Sequence, residues 1–456
     1  TVIASAKQAN AAEWLKWCTQ WRQLDDLLHG EHLEVTKSWA AVSHPNRSIE
    51  WGKANGQGYR FIDLVAMIAD RRAVTFALPP ETYLHRGDGT ALPETDPQVR
   101  QWRADEKHLK LSELLQDLES RLVVLRQLAV SPSWINGKIS WKVYAPYELA
   151  VEPDPADPSE LTLARTVALE VRDYGAGGGT AYPSWLKWTY NGTAWGYEWV
   201  DNGGQPRKTS GPTLFADGVN GYGRHPVVLW RYRQPRNGDV FVAPDEPLLH
   251  IAVGVNIAIT DLFWGLKYQV HPQGVEYGKS KDSSPLFGPD TVRRYNSKSE
   301  EGFEFVTPDL NVAEYRESIE WALRMHTVAR GLPPDTFSPN SSTRNLGAKQ
   351  EEAHQLHIRR RKKQPTLVDY LQQTFDAHRA VGNYWADKGE PREKFDDDLQ
   401  LGVYLMPVPQ VTDRAQGVQA TQSEQAENLT SPVEREMLAS GSTREAAAAR
   451  IEQRKA

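Results

Sequence analysis

RGLPPDTFSPNSSTRNLGAKQ, residues 330–350, separates two stretches that both carry helical spacing. Pro333, Pro334 and Pro339 stiffen its path, while Asn340, Ser341, Ser342 and Thr343 give it slack. The stretch therefore reads as a loop between two helices. Upstream, Asn311-Val312-Ala313-Glu314 is a capping-box sequence, which predicts a helix over 311–331. Val312, Tyr315, Ile319, Leu323 and His326 share one face of it, and Glu317, Glu320 and Arg324 the other, so a packed side and a wet, mostly acidic side are expected. Gly331, ahead of Pro333, ends it. Downstream, helical spacing runs from about 346 to 388, with Pro365 predicting a kink or break near Arg361.

Before this pair the chain carries LLHIAVGVNIAITDLFWGLKYQ, predicted as a helix over 245–269 with Asp245 as its cap and Pro247 in its first turn. It is apolar nearly all round and spans about 35 Å, a bilayer's thickness. His250, Asn256 and Asp261 interrupt it and no second such stretch exists, so burial between protein neighbours is expected, with no membrane. Residues 270–310 form a compact insert, with VHPQGVEYG and EGFEFVTP as strands. At the amino end, Trp14, Trp17, Trp21, Leu24, Leu27 and Leu28 predict an amphipathic helix over 9–29, followed by helices over 61–72 and 99–130. From 134 to 234 short strands take over. Their clearest hairpin is WTYNGTAWGYEW, residues 188–199, where Asn191-Gly192 suits a type I′ turn and Trp188/Tyr190 face Trp195/Tyr197. FDDDLQLGVYLMPVP reads as an acidic strand, and two helices close the chain, the last in GSTREAAAARIEQRK. The fold class is α+β.

The composition excludes several functions. Fifty-three Lys and Arg against 59 Asp and Glu give a net charge of −6, which argues against tight nonspecific grip on nucleic acid. Cys18 is the single cysteine, so no intrachain disulfide forms, and the first thirty residues hold no apolar run of signal-peptide type; a cytosolic lifetime is expected. The glycine cluster 175–179 opens no helix and lacks the lysine of a phosphate loop. His29 and His32, and His354 and His357, belong to no zinc pattern, and Asp396, Asp397 and Asp398, read as a strand, alternate faces and cannot converge on a cation. No catalytic centre, metal site or cofactor is predicted. The sixteen tryptophans suit cores and subunit interfaces; a glycan-binding or carbohydrate-active protein using Trp188, Trp195 and Trp199 is the alternative.

The order of elements, with GEH at 30–32, FIDLVAMIADRRAVTFALPP at 61–80, GRHPVV at 223–228 and RGLPPDTF followed by STRNLGAKQEEAHQLHIRRRKK, resembles the portal proteins of tailed bacteriophages over nearly the whole chain. The resemblance implies a wing in 1–244, stem helices in 245–269 and 311–331 with a clip inserted at 270–310, and a tunnel loop in 332–345. It further implies a long kinked helix and strand completing the wing in 346–413, and a helical crown in 414–456. It also implies a dodecameric ring at one capsid vertex of the virion, assembled in the host cytoplasm, through which double-stranded DNA is packed and ejected without sequence specificity. The implied partners are other copies of the chain, the terminase large subunit, a head-tail adaptor, and the major capsid and scaffolding proteins. The packaging ATPase being a separate protein, the portal itself is a passive conduit and no enzyme.

On that resemblance the DNA channel is expected at Glu317, Glu320 and Arg324 of the stem and at Asp335, Thr336, Phe337, Ser338, Asn340, Ser341, Ser342, Thr343 and Arg344 of the tunnel loop. An acidic lining repels the phosphate backbone instead of holding it by counterion release. Lys279, Lys281, Arg293 and Arg294 are the expected clip contacts to partners. Residues 344–363 carry a net charge of +5 and 390–413 a net of −4. Arg359, Arg360 and Arg361 are therefore expected to pair with Asp396, Asp397 and Asp398 of a neighbouring subunit, closing the ring; contact with packaged DNA is the other candidate role.

Overall fold

A computed structural model of the chain describes residues 11–43, 58–153, 161–171, 182–190, 195–200, 220–235, 240–270, 273–278, 293–296, 302–306, 311–333 and 346–406. The chain forms two units, Thr1–Ser338 with Arg360–Met406, and Pro339–Arg359 with Pro407–Ala456. In the second unit only 346–359 are described, all helical, and the predicted closing helices lie outside the described residues.

In the first unit α1 (Ala11–Leu28) buries Trp14, Trp21, Leu24 and Leu27, with Trp14 and Trp21 edge-on at 5.5 Å. Gly30, at φ +84°, turns the chain into α2 (His32–Ser43), a helix not expected from the sequence. Helix α3 (Leu64–Arg72) starts on Asp63, whose side chain accepts from the Ala66 amide. The single helix expected over 99–130 is instead α4 (Pro97–Leu109), α5 (Leu111–Leu125) and the start of β2 (Gln127–Ile135). The breaks fall at Lys110 and Arg126, both with positive φ, a conformation that charged side chains rarely adopt and that spacing does not reveal.

Strand β2 pairs antiparallel with β3 (Lys138–Tyr144) on one side and β8 (Val228–Arg231) on the other. A second sheet runs β4 (Leu149–Pro153), β5 (Leu161–Val171), β6 (Tyr182–Tyr190), β7 (Trp195–Val200). The predicted hairpin has the expected register, Trp188 opposite Tyr197 and Tyr190 opposite Trp195. Strand β1 (Glu81–His85) pairs antiparallel with β12 (Gln400–Tyr404), which ties the carboxyl-terminal strand to the amino-terminal part.

Helix α8 (Leu346–Asp387) runs unbroken through Pro365. Proline inside a helix costs about 3 kcal/mol. Leu367, Tyr370, Leu371, Phe375 and Val381 bury its second half, and packing of that extent outweighs the cost. A buried polar set locks this half: Trp141 Nε1 donates to His378 Nδ1 at 3.1 Å, which leaves His378 Nε2 to donate to Asp105 at 3.0 Å, and Arg392 adds a 2.9 Å bond to the same carboxylate. As acceptor of the Trp141 N–H, Nδ1 carries no proton, and burial pushes the His378 imidazole down in the same sense. Asp396, Asp397 and Asp398 occupy a turn before β12, closed by the Leu399 amide donating to the Asp396 carbonyl at 3.2 Å, and not the expected strand.

Candidate functional site

Two long helices dominate the middle of the chain: α6 (Glu246–Val270) and α7 (Val312–Ala329), which pack on one another. Between them in sequence lie β9 (Gln273–Gly278), β10 (Arg293–Asn296) and β11 (Gly302–Val306), a small sheet in the order β10-β9-β11 with β10 parallel to β9. The first half of α6 is core: Leu248, Leu249, Ala252, Val253 and Ile257 are buried. Asn256, which interrupts the apolar run, accepts from the Ile62 amide at 2.8 Å, and the buried Thr260 hydroxyl accepts from the Arg60 amide at 3.0 Å. The helix is thus long and apolar enough to cross a membrane, yet two of its polar positions, Asn256 and Thr260, are bonded to neighbouring backbone.

The roots of both helices meet in one ion cluster. Asp245, with 1 % of its side chain exposed, precedes α6, and its carboxylate is gripped by both guanidinium ends of Arg330, the residue that caps the end of α7. Arg126 adds a second bond at 2.8 Å. Burial alone would push the Asp245 carboxyl up; Arg330 and Arg126 override it and hold the group below the usual carboxylate range. His326, one turn before Arg330, is pushed down to about 4 by burial and by the positive charge of Arg330 beside it.

Along α7, Val312, Tyr315, Ile319, Leu323 and His326 are all half-buried, as the spacing predicts. The opposite side differs from the expected acidic face. Glu317 is exposed, but Glu320 lies between Arg316 at 3.6 Å and Arg324 at 3.9 Å, which neutralise it. Trp321, at 65 % exposure, Met325 and Val328 form an exposed apolar stripe on the same helix. Their i, i+4, i+7 spacing is visible in the sequence, and the charged residues beside them drew the reading away from it.

Asp335, Thr336, Phe337, Ser338, Asn340, Ser341, Ser342, Thr343 and Arg344 lie outside the described residues, as do Lys279 and Lys281. Arg293 and Arg294 begin β10. Arg359 closes the described part of the second unit and Arg361 is exposed. Arg360 is placed inside the first unit: Nε donates to the Thr75 carbonyl at 3.2 Å and a terminal nitrogen to the Met406 carbonyl. It sits near Glu119, whose carboxylate accepts the Thr75 and Phe76 amides at 2.9 and 2.8 Å. Asp396 and Asp398 are engaged within the chain by Arg86 at 3.1 and 3.3 Å, and Asp397 is exposed. Trp188 is buried against Tyr197 and Tyr222, which removes the inner face of a glycan-stacking ladder; of Trp199 only the backbone is described. Among the described residues no group of three His, Cys, Asp or Glu side chains is arranged to hold a metal ion.

No protein-family model matches the chain. No curated protein matches it either. Among solved structures it is similar to a chain in the neck of an empty GTA particle computed with C6 symmetry, at 15% identity and a TM-score of 0.39, covering 82% of this chain and 89% of that one. A chain in the virion of a native gene transfer agent particle is similar at 14% identity and a TM-score of 0.38, with the same coverage. Neither likeness reaches a TM-score of 0.5.

Proposed function

We propose that this chain is the subunit of a ring-shaped head-to-tail connector, a portal, that conducts double-stranded DNA and catalyses nothing itself. The observation that carries the reading is the α6–α7 pair: two long helices fixed together at Asp245 and Arg330, a small sheet inserted between them, and an uncovered apolar stripe of Trp321, Met325 and Val328 on α7. A stripe of that kind on a soluble chain calls for a cover. Repeated head-to-tail packing of such helix pairs covers it in every copy at once, and closes into a ring. The pair is then the stem, residues 270–310 the clip that docks the terminase large subunit and head-tail adaptor, and 332–345 the tunnel loop.

Glu317 then faces the bore together with the Arg316–Glu320–Arg324 ladder. Balanced charge of this sort lets phosphates slide past without the counterion release that would hold them. Negative-stain microscopy of the purified full chain tests the proposal. Rings with a central hole, at close to twelve times 51.4 kDa by light scattering, are expected; a monomer at micromolar concentration overturns it.

A further inference from the structure

Around the root of the paired helices lies an excess of positive charge that its internal partners do not balance. Tyr232, just after β8, is the centre of one half. Arg72 donates to its hydroxyl at 2.8 Å, and Lys363 lies 3.7 Å from its ring centroid and donates to its carbonyl. The Tyr232 amide in turn donates to the Arg126 carbonyl at 2.8 Å, which leads into the other half, Arg126–Asp245–Arg330. Arg233, exposed, directly follows Tyr232 in the chain, and its positive charge helps push both Lys363 and Arg126 down. His326 joins the halves again, feeling Arg330, Asp245 and Arg72 together.

The plain explanation is that these cations neutralise helix ends. Helices α3, α5 and α7 all finish here, at Arg72, Leu125 and Ala329. Three helix C-termini carry together about −1.5 charges, and the start of α6 returns about +0.5. Asp245 contributes one full negative charge. Arg72, Arg126, Arg233, Arg330 and Lys363 exceed that total by about three charges, in a chain whose net charge is −6. Helix ends therefore do not account for the cluster. Within it Arg72 Nε, always a donor, has no hydrogen-bond partner among the described residues.

We infer that Arg72, Arg233 and Lys363, in the field of the Asp245-bound Arg126 and Arg330, form a binding site for a phosphate group beside Tyr232. A phosphate monoester brings about −1.5 to −2 charges and several acceptor oxygens, and a backbone phosphodiester about −1, so either offsets part of the surplus, and the exposed Arg233 guanidinium fork suits that geometry. The group is carried either by a nucleic-acid backbone or by a small phosphate compound. The site stands independently of the ring proposed above.

Calorimetric titration of the full chain with inorganic phosphate, at ionic strength held constant with sodium chloride, tests it. Saturable binding is expected. Arg233→Gln, at an exposed position that leaves folding alone, and Lys363→Gln should each weaken it about tenfold, while Arg100→Gln on a remote surface leaves it unchanged. Competition with a fluorescently labelled DNA duplex then separates the sources: displacement by phosphate assigns the site to a backbone phosphodiester, and duplex binding that ignores phosphate, or no duplex binding, assigns it to a small phosphate compound. Absence of saturable phosphate binding, or full binding by Arg233→Gln, overturns the site. Rings missing under the microscope with phosphate still bound would sink the connector reading alone.

Discussion

Asp245→Asn isolates the charge at the root of the two long helices. Asparagine caps a helix about as well as aspartate, so the start of α6 keeps its cap and only the charge is lost. Arg330 and Arg126 then face each other without a counter-ion in a site where the native carboxylate is 1 % exposed. At charge separations near 4 Å and an effective dielectric of about 20, each arginine–carboxylate attraction is about 4 kcal/mol, much of it offset by desolvation. Removing one member of such a buried set costs about 3–5 kcal/mol. Asp245→Ala should cost about 1 kcal/mol more, because the cap goes too. Urea titration followed by circular dichroism reads this as a lower midpoint at unchanged slope. The double variant Asp245→Asn/Arg330→Gln should cost less than the two single changes together, since the second removes a charge the first left stranded. Strict additivity, or Asp245→Asn within about 0.5 kcal/mol of the parent chain, would refute the reasoning.

The remaining expectations concern acid stability, packing and assembly. His225 and His326 are both pushed down to about 4 by burial. Their folded values lie below the unfolded value of about 6.5, so the unfolded chain binds protons first and stability must fall as pH drops from about 6.5 to about 4; a urea midpoint constant across that window is the contrary result. Asp245 and Asp105, held low by their arginine and histidine partners against the effect of burial, add a further loss below about pH 4, as protons reach carboxylates paired in the fold. Gly382→Ala in α8 sets two effects against each other. Helix propensity favours alanine by about 1 kcal/mol, but the new methyl would stand 2.8 Å from an Arg392 guanidinium nitrogen that cannot retreat without releasing Asp105. Overpacking costs about 1–3 kcal/mol, so thermal melts should show a net loss, and a stabilised variant would mean Arg392 is not held. Trp321→Glu should leave unfolding of the subunit within about 0.5 kcal/mol of the parent while size-exclusion chromatography shows ring formation abolished; rings that persist would remove the α7 stripe from the interface.

What the sequence could and could not disclose divides along a physical line. Periodic burial was legible: α1, α6 and the packed side of α7 follow from apolar spacing, and the β6–β7 register follows from alternation and an Asn-Gly turn. Single-residue backbone choices were not, since nothing about Lys110 or Arg126 announces a left-handed conformation, and one such residue cut a predicted helix in two. Partner choice for charges was equally hidden. Arg360 in a run of five cations looks like surface, yet it is buried on the Thr75 and Met406 carbonyls, and Glu320 looks acidic until Arg316 and Arg324 are seen four residues away on either side. The proposed phosphate site is hidden in the sequence for the same reason. Arg72, Arg126, Arg233, Arg330 and Lys363 are scattered over nearly three hundred residues and none belongs to a motif; only the meeting of the α3 and α5 ends at Tyr232, and of the α7 end with Arg126 at Asp245, makes them one charge cluster. Net charge, an average over the whole chain, argues against a phosphate grip, while the local surplus of about three positive charges argues for one, and binding responds to the local field.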